Sequence, residues 1–146
     1  MNWRKEAAND LRELRFLENY VKNYPDMMET LNARMMRVRS GKDDAVPVSG
    51  GGGTQTEDDW LECIVKKERL SWQCSERKMK IFRIKEALSL LEPKERRALE
   101  LFYIDRPRNH VDRLCEELGY EKSQVYRLKD GALRNFTIAL YGVTDD

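Results

Sequence analysis

The chain has 146 residues, of which 40% are hydrophobic and 36% charged, with 27 Lys and Arg against 26 Asp and Glu for a formal net charge of +1. That length holds one or two small domains, and so many charges suit exposed helices around a thin core better than one compact globule. No run approaches the ~18 apolar residues of a membrane span, which excludes a membrane-embedded role, and the near-zero total leaves only the distribution of charge to speak about nucleic acid.

The opening MNWRKEAAND is charged from its fourth residue and has neither the apolar core nor the cleavage site of a secretory leader. Cys63, Cys74 and Cys115 are widely spaced and form no CxxC pair. An odd number at such spacing points to reduced thiols, with no disulfide framework and no zinc site, and hence to a cytoplasmic protein.

Residues 1 to 39 read as helix. Steps of four and three pick out Trp3, Ala7, Asp10, Leu14, Leu17, Val21, Tyr24, Met28, Leu31, Met35 and Val38. Only Asp10 is polar, and Leu11 beside it covers the gap. A stripe of this spacing marks a helix that lies along another helix. Pro25 removes one backbone donor and crowds the preceding turn. The stripe keeps its phase across it, so a kink is expected, or a stop with an immediate restart.

Residues 40 to 56, SGKDDAVPVSGGGGTQT, read as a flexible linker, because Gly50 to Gly53 disfavour helix and Pro47 interrupts what precedes them. GGGGT has no following GK[ST] and no preceding apolar strand, so it is no phosphate loop. Helix resumes near Glu57, with Thr56 as a suitable cap and Glu57, Asp58 and Asp59 matching a helix N-terminus by charge. From Trp60 to Leu91 there is neither proline nor glycine. Leu61, Ile64, Val65, Leu70, Trp72, Met79, Phe82 and Leu88 form a broad stripe, and Trp60, Trp72 and the methionines read as seam packing. The two long helices are expected to fold back as an antiparallel hairpin over residues 1–91.

Glu92-Pro93 starts a last segment of three short apolar-periodic units: 93–104, 110–118 and 122–140. Arg106-Pro107-Arg108 breaks the first from the second, and Gly119-Tyr120-Glu121 turns the second into the third. Val111, Leu114, Cys115 and Leu118 face inward, as do Val125 and Leu128. A short helix, a glycine turn and a second helix with a polar outer face are the requirements of a helix-turn-helix. Lys122, Ser123, Gln124, Tyr126, Arg127 and Lys129 remain outward. Gln reads adenine, Arg and Lys read guanine or phosphate, and Ser serves either. From Lys122 to Arg134 there are four basic residues and one acidic, so positive charge collects where phosphates would lie. Lys122, Ser123, Gln124, Tyr126, Arg127, Lys129 and Arg134 are the candidate DNA-binding residues.

The stretch LEPKERRALELFYIDRPRNHVDRLCEELGYEKSQVYRLKDGALRNF resembles region 4 of sigma-70 factors, in its leading leucine-x-proline, the LG at the turn and the S-x-V followed by AL. The whole chain also resembles the ArpU and RinA-like late-gene regulators of phages of Gram-positive bacteria, and EKSQVYRLKDGALRNFTIALYG is close to their C-terminal signature. The likeness covers residues 57 to 142 and extends to residues 1–40 in style only. It implies an all-α protein in which residues 92–142 form a sigma-region-4-like domain that binds promoter duplex DNA and activates phage or prophage late genes. Nothing resembles the sigma region that binds core polymerase and melts the −10 element. The expected partners are therefore duplex DNA, bacterial RNA polymerase and a second copy of this chain through the hairpin.

Enzyme readings find no support. His110, the single histidine, stands in the loop beside Arg108 and Asn109, where capping is the natural role. No Ser or Cys lies in a nucleophile motif, and Glu116-Glu117 sits on a solvated face. No catalytic residue, metal or cofactor is expected. Two other readings stay open: a small terminase-like packaging subunit, and a polymerase-binding module with no DNA specificity of its own.

Overall fold

The computed structural model describes residues 1–40 and 52–145, with side chains from 1–39 and 56–145. The described residues are helical and contain no strand. Helix α1 spans Trp3–Ser40 and α2 spans Gly52–Ser89. Helix α3, Pro93–Leu99, runs on into a π-helical turn, Glu100–Ile104. Helices α4, His110–Leu118, and α5, Lys122–Tyr141, complete the order. No described helix is long and apolar enough to cross a membrane.

Two compact units divide the chain, one of residues 1–18 with 79–146 and the other of residues 19–78. The ends of both long helices thus belong with the C-terminal helices, and the boundary read in the sequence at residue 91 does not coincide with this division.

The first unit is built on two clusters. In one, Ala7, Leu11, Leu14 and Leu17 of α1 meet Ile84, Ala87 and Leu91, together with Leu99, Ala132 and Phe136. The expected α1 stripe is therefore buried here, with Leu11 filling the gap at Asp10. Asp10 itself is satisfied: it accepts the Tyr141 hydroxyl and lies 3.3 Å from Lys80 Nζ. Burial and the Asp10 carboxylate push the Tyr141 hydroxyl up from its ordinary range. The second cluster packs Ala98, Leu101 and Phe102 on Leu114 and Val125. The residues after α5 return to the start of α1, where the Asp145 carboxylate accepts the backbone N–H groups of Trp3 and Arg4 at 2.9 and 3.0 Å. This caps a helix N-terminus with a side chain from the far end of the sequence.

In the second unit the remaining parts of α1 and α2 lie side by side. Met35, Val38, Cys63 and Cys74 are buried. Tyr20 Oη donates to Gln73 Oε1 at 3.2 Å, and the Arg77 guanidinium lies 3.8 Å from the Tyr20 ring centre. Met28 and Leu31, expected to be largely buried, are only partly so.

Of the two outcomes expected at Pro25, the stop with restart does not occur: helix α1 passes through it. Pro25 is exposed, so water reaches the backbone acceptor it leaves unpaired, while both flanking turns are held by packing. Ser40 belongs to α1, and α2 begins at Gly52, so the linker reading fails at 40 and at 52–56; residues 41–51 lie outside the described residues. Gly52 and Gly53 occupy only the first turn, where Thr54 and the residues beyond carry the helix. Finally, Trp72 and Met79 are not seam residues, being 63% and 64% exposed. The α2 residues that turn inward follow their own four-and-three spacing, through Cys63, Leu70, Cys74, Ile81, Ile84 and Leu88. Trp72 and Met79 fall on the opposite side of the helix.

Candidate functional site

Helix α4 ends where its geometry requires glycine. Gly119 has φ of 66°, the left-handed region, and caps the helix through an N–H to the Cys115 carbonyl. Helix α5 starts three residues later with Glu121 in extended backbone as its cap. Gln124 Oε1 accepts the Glu121 N–H at 2.9 Å, one arm of a reciprocal capping box. Two helices joined by so short a turn must share a core, and Leu114 and Val125 are both fully buried in it.

The first helix of the unit braces this pair. Arg97 Nε and Nη2 donate to the two Glu117 oxygens at 2.8 and 2.7 Å, tying α3 to α4 by a fork-to-fork contact. The Glu117 carboxyl is held below its ordinary range, chiefly by that hydrogen bond. Glu95 accepts Asn135 Nδ2 at 2.6 Å and so ties α3 to α5. Phe102 sits edge-on to His110 and Tyr126, at 4.7 and 5.8 Å between ring centres. His110 Nδ1 is 3.1 Å from the Pro107 carbonyl. The histidine therefore serves the loop between the π-turn and α4.

Of the seven residues singled out in the sequence, Lys122, Ser123, Gln124, Tyr126, Arg127 and Arg134 are exposed, and Lys129 is half-buried. At 100° per residue, Ser123, Arg127 and Arg134 form the middle of the outward face. Lys122 and Tyr126 stand toward one edge and Gln124 at the other. The expectation that Lys122, Gln124 and Arg127 share one face holds only in this wider sense. Arg127 lies back along its helix, with Nε 3.4 Å from the Ser123 carbonyl. Lys129 leans away from the face: Nζ pairs with Asp130 at 2.8 Å and lies 5.6 Å from the Phe102 ring centre.

Asp130, the one acidic residue counted between Lys122 and Arg134, lies on the outward face of α5 among the basic residues. Sequence reasoning passed over two exposed charges. Arg106 and Arg108 are exposed in the loop before α4. The signal was present in Arg106-Pro107-Arg108, which the periodicity argument treated only as a break. Among the described residues, no cluster of three or more His, Cys, Asp or Glu could hold a metal ion.

The comparison with protein families gives one finding that covers most of the chain. Residues 37–137 match the family described as "Protein of unknown function (DUF1492)". The chain belongs to that family. No curated protein and no solved structure matches it. The family match takes in the whole of α2, α3, the π-turn and α4, and α5 as far as Thr137, so the candidate site lies within it.

Proposed function

We propose that this DUF1492 member is a sequence-specific regulator of transcription that binds duplex DNA through α4 and α5 acting as a helix-turn-helix. Helix α5 is the recognition helix, and by the sequence resemblance of residues 92–142 helices α3 to α5 are the counterpart of sigma region 4. The observation that carries this reading is the exposed polar edge of α5's first two turns, backed at Val125 by a fully buried position. A helix so held presents its N-terminal side chains as a rigid unit, which base readout in a major groove requires.

Within this reading, Gln124 and Arg127 contact base edges, and Ser123 stands beside Arg127 on the same face. Lys122, Arg134, Arg106 and Arg108 are assigned to phosphates. Phosphate contacts set affinity and orientation, and base contacts set the sequence. Lys129 is withdrawn from the base-reading set, since its ammonium is spent on Asp130 and on the Phe102 and Tyr126 rings. The long helices form a hairpin that supports the domain and offers surfaces to RNA polymerase or to a second copy. By its resemblance to phage late-gene regulators, the regulated genes are phage or prophage late genes in a bacterial cytoplasm, and the effect is activation.

The test is selection of the full chain on a randomised duplex library, followed by titration on the selected duplex and on a scrambled one. A selected consensus bound far more tightly than scrambled DNA supports the proposal. Enrichment of no sequence, with no binding at low salt, overturns it in favour of a module that works through protein contacts alone.

A further inference from the structure

Helix α2 carries two apolar stripes on opposite sides, and the described residues cover only one. The uncovered stripe runs through Leu61, Val65, Trp72, Met79 and Phe82, each between 52% and 64% exposed. Val65, Trp72 and Met79 are spaced by seven, and the half-steps of the same repeat are Leu61, Glu68, Ser75 and Phe82, apolar at the two ends and polar in the middle. Scattered exposed apolar residues need no explanation, but a heptad-spaced row along one helix is the seam of a helix pair.

The charges beside the row choose the partner. On one flank the residues that follow each half-step are Glu62, Arg69, Glu76 and Arg83, alternating in sign at intervals of seven. In an antiparallel pair like flanks face each other. If Trp72 packs level with Ser75 of a second copy, Arg69 meets Glu76 and Glu62 meets Arg83, each pair occurring twice by symmetry. The other flank brings no like-charged pair together in this register. A parallel pair would instead set Lys78 against Arg83 and Glu57 against Glu62. Shifting the antiparallel register by one heptad sets Arg69 against Arg69 and Glu62 against Glu76. Glu62 also holds Lys66 Nζ at 2.9 Å within its own helix, so its pairing with Arg83 is shared.

We propose that this face of α2 binds the same face of a second copy of the chain, antiparallel, about a two-fold axis level with residues 73 and 74. The contact is isologous, with the same patch on both partners, and closes as a dimer. The inference rests on α2 alone and is independent of whether the protein binds DNA.

Sedimentation of the full chain across the micromolar range tests it. The wild type should form a concentration-dependent dimer. Trp72→Asp should sediment as a monomer with unchanged helical content, because that side chain is already in water in the single chain. Glu76→Arg sets two arginine pairs face to face and should weaken the dimer about tenfold. The double variant Arg69→Glu with Glu76→Arg should restore it to within about threefold. A wild type that stays monomeric, or a dimer untouched by Trp72→Asp, would overturn the proposal. A double variant as weak as Glu76→Arg alone would overturn the register.

Discussion

Gln124 occupies the third position of α5, where its Oε1 already accepts the Glu121 N–H. A two-bonded contact with adenine needs that oxygen and the amide nitrogen together, so the oxygen must accept twice or leave the cap on binding. Glutamate at the same position keeps the cap but has no donor. Gln124→Glu should therefore leave thermal stability nearly unchanged while weakening specific binding by ~1–3 kcal/mol. Titration on selected and scrambled duplexes, beside a melting curve, separates the two duties. Equal loss on both duplexes would mean that the introduced carboxylate only repels the DNA backbone and that Gln124 reads no base. Asp105 gives a second single-residue test. Arg15 Nε and Nη2 donate to its two oxygens, each at 2.8 Å, across 90 residues of sequence. That hydrogen bonding, opposed by partial burial, holds the Asp105 carboxyl below its ordinary range. The unfolded value is ~3.9, so the stabilisation is complete above it and fades as pH falls through the lower folded value. Both partners are more than a third exposed, and solvent screening keeps the contribution below about 1 kcal/mol. Asp105→Asn should lower the urea midpoint slightly at about pH 7 and leave it unchanged at about pH 2.

Helices differ in how much of themselves they announce. The α1 stripe was legible because its apolar residues keep one phase over most of the helix, and Ala7, Leu14, Leu17, Met35 and Val38 are buried as the spacing requires. The bounds of α4 and α5 were legible because Gly119 and a Glu-x-x-Gln box punctuate them. In α2 the seam was not legible, since two opposite apolar rows sum to one broad, unphased stripe, and Trp72 drew the eye to the wrong one. Nor could any local signal show that Asp145 caps Trp3 and Arg4, because that contact joins opposite ends of the chain. The turn itself can be tested. A Cβ at Gly119 meets nothing within 4 Å, so Gly119→Ala should cost only the left-handed backbone penalty, about 1–2 kcal/mol. Gly119→Asn should cost less, and chemical denaturation of both variants measures the difference. On the proposed reading, Asp130 on the outward face of α5 opposes the phosphates. Asp130→Asn should strengthen binding to every duplex alike, and a gain confined to one sequence would contradict its placement beside the DNA backbone.

At the level of the whole molecule, family membership and helical architecture stand on direct observation, and the DNA reading rests on one helix face and the resemblance of residues 57–142. What the rest of the chain adds can be ranked by physics. Six assigned DNA contacts, four of them basic groups aimed at phosphates, imply a steep salt dependence and a measurable specificity ratio. The most direct measurement is a titration of the full chain and its Arg127→Ala variant on the selected duplex and on scrambled DNA, at two salt concentrations. The wild type is expected to prefer the selected duplex by roughly a thousandfold or more, and to weaken on both as salt rises. Arg127→Ala should lose ~1–3 kcal/mol on the selected duplex and far less on the scrambled one. Equal affinities of the wild type for the two duplexes, or none for either at low salt, would contradict DNA reading by α5.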